Sequence, residues 1–232
     1  NADLEVYELA LNEEGNEMLV ATRLPSDSFK TIVYLVTEKT KKPVLEVYGR
    51  VEDLLFEAMV GFLDSVLVIE NGIKRHIGKG GFLSFKNGEW TFPELVYNKS
   101  VLPYFTTVTK IKDSLVAFNF DDVHAWTLRG NKLVIHANSL EIKGRVSDVF
   151  VDGEARHLSG SFSTFSMNKV ANFVTVNSSW RWPYFSESNY SLGSVDFVTK
   201  IDSQIILAGD FYTGNYVGYQ GKGRQFNVEY LG

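Results

Sequence analysis

The sequence predicts an all-β fold assembled from repeats, and three observations carry that prediction. Apolar residues alternate with polar ones or stand in short runs, and the 3.6-residue period of a helix is nearly absent along the 232 residues. Asn71-Gly72 and Asn87-Gly88 sit between apolar runs, the pair preferred where a tight hairpin turn needs positive φ at two successive positions. Val198-Thr-Lys-Ile-Asp-Ser repeats the earlier Val108-Thr-Lys-Ile-Lys-Asp-Ser.

In chain order, Leu4 and Val6 alternate with Asp3 and Glu5, which predicts a strand over 2–8. Asn12 to Asn16 is a polar turn, Met18 to Thr22 a short strand, and 24–28 a loop. Strands follow at 30–36 and 44–51, rich in β-branched residues and separated by the basic connector 39–42. The dense apolar run 54–60 reads as a further strand, and 65–69 leads into the turn at Asn71-Gly72. Strands at 82–86 and 90–96 flank Asn87-Gly88. The next group is 106–111, 114–118, 123–128, a turn at Arg129-Gly-Asn131, 132–137 and 141–146. Strands at 159–165 and 171–176 follow the turn Asp152-Gly153, and 195–201, 204–211, 215–220 and 225–230 close the chain.

A looser copy of the recurring segment, Phe62-Leu-Asp-Ser-Val-Leu-Val-Ile69, places Asp-Ser pairs at 64, 113 and 202, in steps of 49 and 89. The longer step is about two of the shorter, so a copy is expected near 157; Ala155 to Gly160 and Asn16 to Ala21 fill the ladder. Units of this length with about four short strands each resemble the blades of a five-bladed β-propeller. The resemblance implies one domain over 1–232, the N-terminal strand pairing into the last blade to close the ring. A large β-sandwich or jelly roll is the alternative. Ser84-Phe-Lys-Asn-Gly88-Glu-Trp90 resembles the Asp-box turn of sialidase-like propellers, with Lys86 in place of the Asp and the Gly-to-Trp spacing one residue short.

Composition removes several function classes. The net charge is −5 with dispersed basic residues, so no patch is expected to hold a nucleic-acid backbone. No apolar run approaches the roughly 20 residues of a membrane-spanning helix. With no cysteine there is no disulfide framework and no thiolate metal site. The chain begins at Asn1 without methionine, which suggests a processed mature protein or a fragment. Asn98, Asn177 and Asn189 each head an Asn-x-Ser/Thr sequence, candidate glycosylation sites of an extracellular or cell-surface protein.

The most unusual stretch is Ser178-Ser-Trp-Arg-Trp-Pro-Tyr-Phe185. Trp180 and Trp182 share a face, and Pro183 disfavours a central strand. Trp180, Arg181, Trp182 and Tyr190 are therefore the candidate ligand contacts, ring faces for sugars and a guanidinium for hydroxyls or carboxylates. The competing reading is a packing cluster beneath an arginine lid. Asp64, Asp113 and Asp202 read as recurring turn residues, and the Gly78-Lys-Gly-Gly81 and Gly221-Lys-Gly-Arg224 stretches as recurring blade turns. His76, His124, His136 and His157 show no metal-ligand spacing. No cofactor motif is present.

These features point to a non-enzymatic binding or assembly module that recognises a glycan or a protein partner through loop aromatics. One alternative is a carbohydrate-active hydrolase, which would need a carboxylate pair drawn from Asp121, Asp122, Asp196 and Asp210. Another is a structural subunit of a virion or cell-surface assembly.

Overall fold

The computed structural model describes residues 4–24, 26–86, 88–96, 103–136, 142–164, 170–180, 190–202, 204–213 and 227–231. It is all-β, and among these residues there is no helix. A seven-stranded antiparallel meander comes first: β1 (Glu5–Leu11), β2 (Glu17–Leu24), β3 (Asp27–Thr37), β4 (Lys41–Leu54), β5 (Ala58–Glu70), β6 (Ile73–Lys86) and β7 (Glu89–Thr91). There follow β8 (Glu94–Val96), β9 (Phe105–Ile111), β10 (Ser114–Asn119), β11 (Asp121–Asp122), β12 (Ala125–Arg129) and β13 (Lys132–Ile135). The chain ends with β14 (Ile142–Asp152), β15 (Ala155–Thr164), β16 (Val170–Val176), β17 (Tyr190–Ile201), β18 (Gln204–Thr213) and β19 (Asn227–Leu231). A five-stranded sheet has the order β8-β13-β12-β10-β9, with β13 parallel to β8; a four-stranded sheet runs β11-β14-β15-β16 and a three-stranded one β17-β18-β19.

Among the described residues none of the sheets closes, and the expected five-bladed ring is not shown. The closing pair is not shown either: β1 is the outermost strand of its sheet beside β2, and β19 pairs with β18. By its internal contacts the chain divides into two compact units, Asn1–Ala117 with Trp126–Val134, and Phe118–Ala125 with Ile135–Gly232. The first unit centres on Leu19, Val33, Leu45, Val47, Met59, Val66 and Leu83, all at most 1% exposed. The second has a smaller cluster of Phe173, Val195, Val198 and Leu207.

Turn chemistry places the hairpins. Asn71 and Gly72 both have positive φ, 51° and 79°, so β5 and β6 meet through the two-residue turn that Asn-Gly favours. The run 54–60 is not one strand, because Leu55 and Ala58 exchange backbone hydrogen bonds and fold it into the β4–β5 turn. The stretch from Gly78 to Gly81 is not a turn but lies inside β6, where Gly78 and Gly80 make room for the ring of Phe92.

The internal repeat also differs from the 45-residue ladder. Asp64 lies in the middle of β5, whereas Lys112 and Asp202 are the positive-φ residues of the β9–β10 and β17–β18 turns, both at 54°. The two Val-Thr-Lys-Ile segments thus superpose with a constant offset of 90, and the Asp-Ser pairs are out of step by one. A second duplication accompanies them: Leu45-Glu-Val-Tyr-Gly-Arg-Val-Glu-Asp53 is matched by Leu140-Glu-Ile-Lys-Gly-Arg-Val-Ser-Asp148. Each copy pairs with the following strand through a register shift just before its Asp. The shift frees that carboxylate to receive the amide of the Val-Thr-Lys-Ile strand: Val108 N donates to Asp53 Oδ2 and Val198 N to Asp148 Oδ2, both at 2.9 Å. One module, β4-β5-β9-β10, is therefore built again as β14-β15-β17-β18. The sequence ladder missed it because the two halves of the module are spaced 95 and 90 residues apart, with no constant period.

Candidate functional site

Trp180 is not a surface contact. At the end of β16, Asn177 Oδ1 accepts from Ser179 N at 3.0 Å and Asn177 O from Trp180 N at 2.9 Å. This Asx turn brings Trp180 to φ 60° and buries it to 1% exposure. Phe118 meets its ring edge-on at 5.4 Å, His136 lies at 6.0 Å, and the Arg156 guanidinium sits 4.0 Å above it. At this burial the indole has no face free for a sugar. The guanidinium over this ring is that of Arg156 from β15, whose buried Nη1 has no hydrogen-bond partner among the described residues. Arg181 and Trp182 lie outside the described residues, as do Asn98 and Asn189. Tyr190 opens β17 opposite Thr213; its side chain is outside the description. Asn177 is half-buried and committed to the turn that seats Trp180.

The Asp candidates stand on three strands. Asp121 and Asp122 form the short bridge strand β11 and are exposed, while Asp196 sits at the β17 bulge and accepts from Ser194 Oγ at 2.7 Å. Asp210 occupies β18, its side chain outside the description. In the Asp-box-like turn, Trp90 is 6% exposed and packs on Phe85 at 4.8 Å. Among the described residues no group of three or more His, Asp and Glu is placed to hold a metal ion. No helix among them is long and apolar enough to cross a membrane.

One histidine is built into the second unit's core. His157 on β15 is 5% exposed, stacked between Phe150 at 6.2 Å and Phe173 at 5.8 Å, with Nδ1 2.9 Å from Thr175 Oγ1. Burial lowers its pKa below 6.5; the Asp152 carboxylate opposes that shift and the Lys200 ammonium adds to it. The unfolded chain takes up a proton near pH 6.5 that the folded form resists, so stability present above that pH falls as pH drops below it. Thermal melts between pH 7.5 and 5 are expected to show this loss, and His157→Phe to flatten it; an unchanged slope in the variant would assign the acid sensitivity elsewhere.

A concave feature of the first unit lies where three hairpin turns gather. In the β1–β2 turn, Asn12 Oδ1 accepts from Asn16 N and Glu17 N, and Gly15 takes φ 69°. In the β3–β4 turn, Thr37 Oγ1 accepts from Lys39 N and Thr40 N. These two turns, the β4–β5 turn and the start of β10 enclose a cleft of about 850 Å³, within the usual range for ligand sites. Leu11, Leu55, Phe56 and Leu115 supply its apolar part, and Glu13, Glu14, Glu17, Glu38 and Glu57 stand around it with Lys39 and Lys110. Lys110 from the Val-Thr-Lys-Ile strand ties two turns together, donating to Glu13 and, at 2.9 Å, to Glu57. Those hydrogen bonds, Glu13 first, raise the Lys110 pKa, and the same contact lowers that of Glu13. Glu14 accepts only from Asn16 Nδ2, and neither it, Glu17 nor Glu38 faces a cation among the described residues. A second cleft of about 790 Å³ shares Phe56, Glu57 and Leu115 and continues along Ser84, Phe85 and Asp113.

None of the four Asp candidates lines the first cleft. Its sequence signal is the glutamates at 13, 14, 17, 38 and 57, in or beside three separate turns, which only the fold brings together. Another buried carboxylate has a structural part: Glu46, 2% exposed, is held by Lys74 at 2.6 Å, Tyr48 at 2.7 Å and Lys30 at 3.2 Å. Burial alone would raise its pKa, but these three partners together outweigh it and leave the pKa lowered. No family model matches the chain, and no curated protein matches it.

Proposed function

We propose that the protein is a non-enzymatic binding module whose first unit takes a basic segment of a protein partner into the cleft at its turn end. The observation that carries this reading is the trio Glu14, Glu17 and Glu38, which face no cation among the described residues, beside the apolar patch of Leu11, Leu55, Phe56 and Leu115. Lysine and arginine side chains match such a surface, since their aliphatic stems cover apolar atoms while the charged heads reach the carboxylates. Phe56 is half-buried and engaged edge-on by Phe85 at 5.9 Å, so the cleft offers no open aromatic platform for a sugar ring. This favours the protein partner over the glycan. An extracellular or cell-surface setting belongs to the proposal on the strength of the Asn-x-Ser/Thr sequences.

The test is titration of the chain with fluorescent peptides alternating lysine and leucine, alongside a glycan panel. Peptide binding that weakens with salt, and that drops at least tenfold in Glu14→Lys/Glu17→Lys/Glu38→Lys, is the expected result. Glycan binding alone would replace the partner class, and peptide binding unchanged in the triple variant would remove the cleft.

A further inference from the structure

We infer that the β17–β18 hairpin is an acid-released cover on the second unit, and that protonation of His157 beneath it is the trigger. Strand alternation puts Asp148, Phe150 and Asp152 on one side of β14, and the register sets His157 of β15 opposite Phe150 and Thr175 of β16 opposite His157. Phe150 and Phe173 stack nearly parallel to the imidazole, at interplanar angles of 18° and 7°. The same two phenylalanines pack with Val195, Val198 and Leu207, the buried side chains of β17 and β18. β17 packs against β14, β15 and β16 without joining their sheet. His157 thus lies in the layer between two sheets of a single unit.

A proton turns this imidazole into a cation whose ring faces water cannot reach while the cover is seated. The attraction of two phenyl faces for a cation does not replace that hydration. Two charged groups face His157: Asp152 from β14, whose Oδ2 already accepts from Lys200 Nζ at 2.5 Å, and Lys200 itself from β17. β16 presents the Thr175 hydroxyl, and Arg156, next along β15, turns to the other face, over Trp180. The carboxylate that would neutralise an imidazolium is therefore committed to an ammonium on the cover, and the cover carries the like charge. Displacing β17 relieves both, because it admits water to His157 and takes Lys200 away. Asp148, which accepts from Val198 N, has the opposite sign: burial raises its pKa, so at that site falling pH favours the fold. In the first unit the one histidine, His76, is exposed, and the lowered pKa of buried Glu46 means that its contribution is lost only as pH falls below 4.5.

Hydrogen exchange of the full chain between about pH 7.5 and about pH 5, corrected for the intrinsic pH dependence of exchange, tests this. β17 and β18 are expected to lose protection on the order of tenfold per pH unit below 6.5, while β2 to β6 of the first unit keep theirs. A dye that binds exposed apolar surface should report the uncovered face over the same range. His157→Phe should remove both responses. Lys200→Met is the second variant, should the phenylalanine chain fold poorly. It removes the like charge and frees Asp152 for His157, so the loss per pH unit should shrink; a lysine that served only as a clasp would lower protection equally at every pH. Protection of β17 and β18 that does not change with pH, a loss shared by β2 to β6, a pH response kept in full by His157→Phe, or an unaltered pH slope in Lys200→Met would each overturn the assignment.

Discussion

Gly144→Ala is expected to destabilise the protein by about 3 kcal/mol or more, and Gly49→Ala by a similar amount. Both glycines occupy the duplicated Leu-Glu-x-x-Gly-Arg-Val-x-Asp segment, at φ 126° and 133°. A Cβ on Gly144 would lie 2.4 Å from Ser161 O and 2.9 Å from Phe162 Cα; on Gly49 it would lie 2.1 Å from Phe62 O. Those atoms are backbone of the paired strand, so no rotamer change relieves the overlap and the two strands must separate. Separation would also displace the register shift that aims Asp148 and Asp53 at the Val-Thr-Lys-Ile amides. Gly15→Ala is the control. Its φ is 69° but no atom lies within 4 Å of the added Cβ, so only backbone strain of about 1 kcal/mol is expected. Urea unfolding of the three variants measures the contrast; a Gly144→Ala cost no larger than that of Gly15→Ala would refute the close crossing.

Trp180→Ala should cost about 3–5 kcal/mol, the range for emptying a large aromatic site in a core. At 1% exposure, with Phe118 against its edge and Arg156 over its face, removal leaves a cavity and a guanidinium without its π-face. Arg156→Ala should cost less, about 0.5–2 kcal/mol, because only the cation–π contact and stem packing are lost. A solvent-exposed binding tryptophan would give the opposite pattern, a stability change within about 0.5 kcal/mol with binding abolished. Denaturant melts of the two variants beside the parent chain therefore separate a core Trp180 from a ligand contact.

Much of the local structure was legible. Asn71-Gly72 and Arg129-Gly130 mark hairpin turns where the structure has them, and strand after strand falls where β-branched and alternating residues predict. Such features rest on interactions within a few residues, and the composition of a short window reports them directly. The tight β4–β5 turn was hidden for the same reason inverted: Leu55, Phe56 and Glu57 carry no turn residue, so the apolar run reads straight through it. Trp180 was read as exposed from the crowding of aromatics around it, but the Asn177 turn that aims it inward is a three-residue hydrogen-bond pattern whose effect depends on Phe118 and Arg156 being there to receive it.

By itself, the sequence determined that this is an all-β chain, roughly where its strands and tight turns lie, and that a Val-Thr-Lys-Ile strand is used twice. Only the tertiary structure decided that the repeat is a bulged hairpin joined to that strand through Asp53 or Asp148. It alone gathered glutamates from separate turns around one cleft, and it alone set His157 between Phe150 and Phe173. The physical reason is range: turn and strand preferences are set by a residue and its near neighbours, whereas burial, ion pairing and which strand receives a free carboxylate depend on partners tens of residues away.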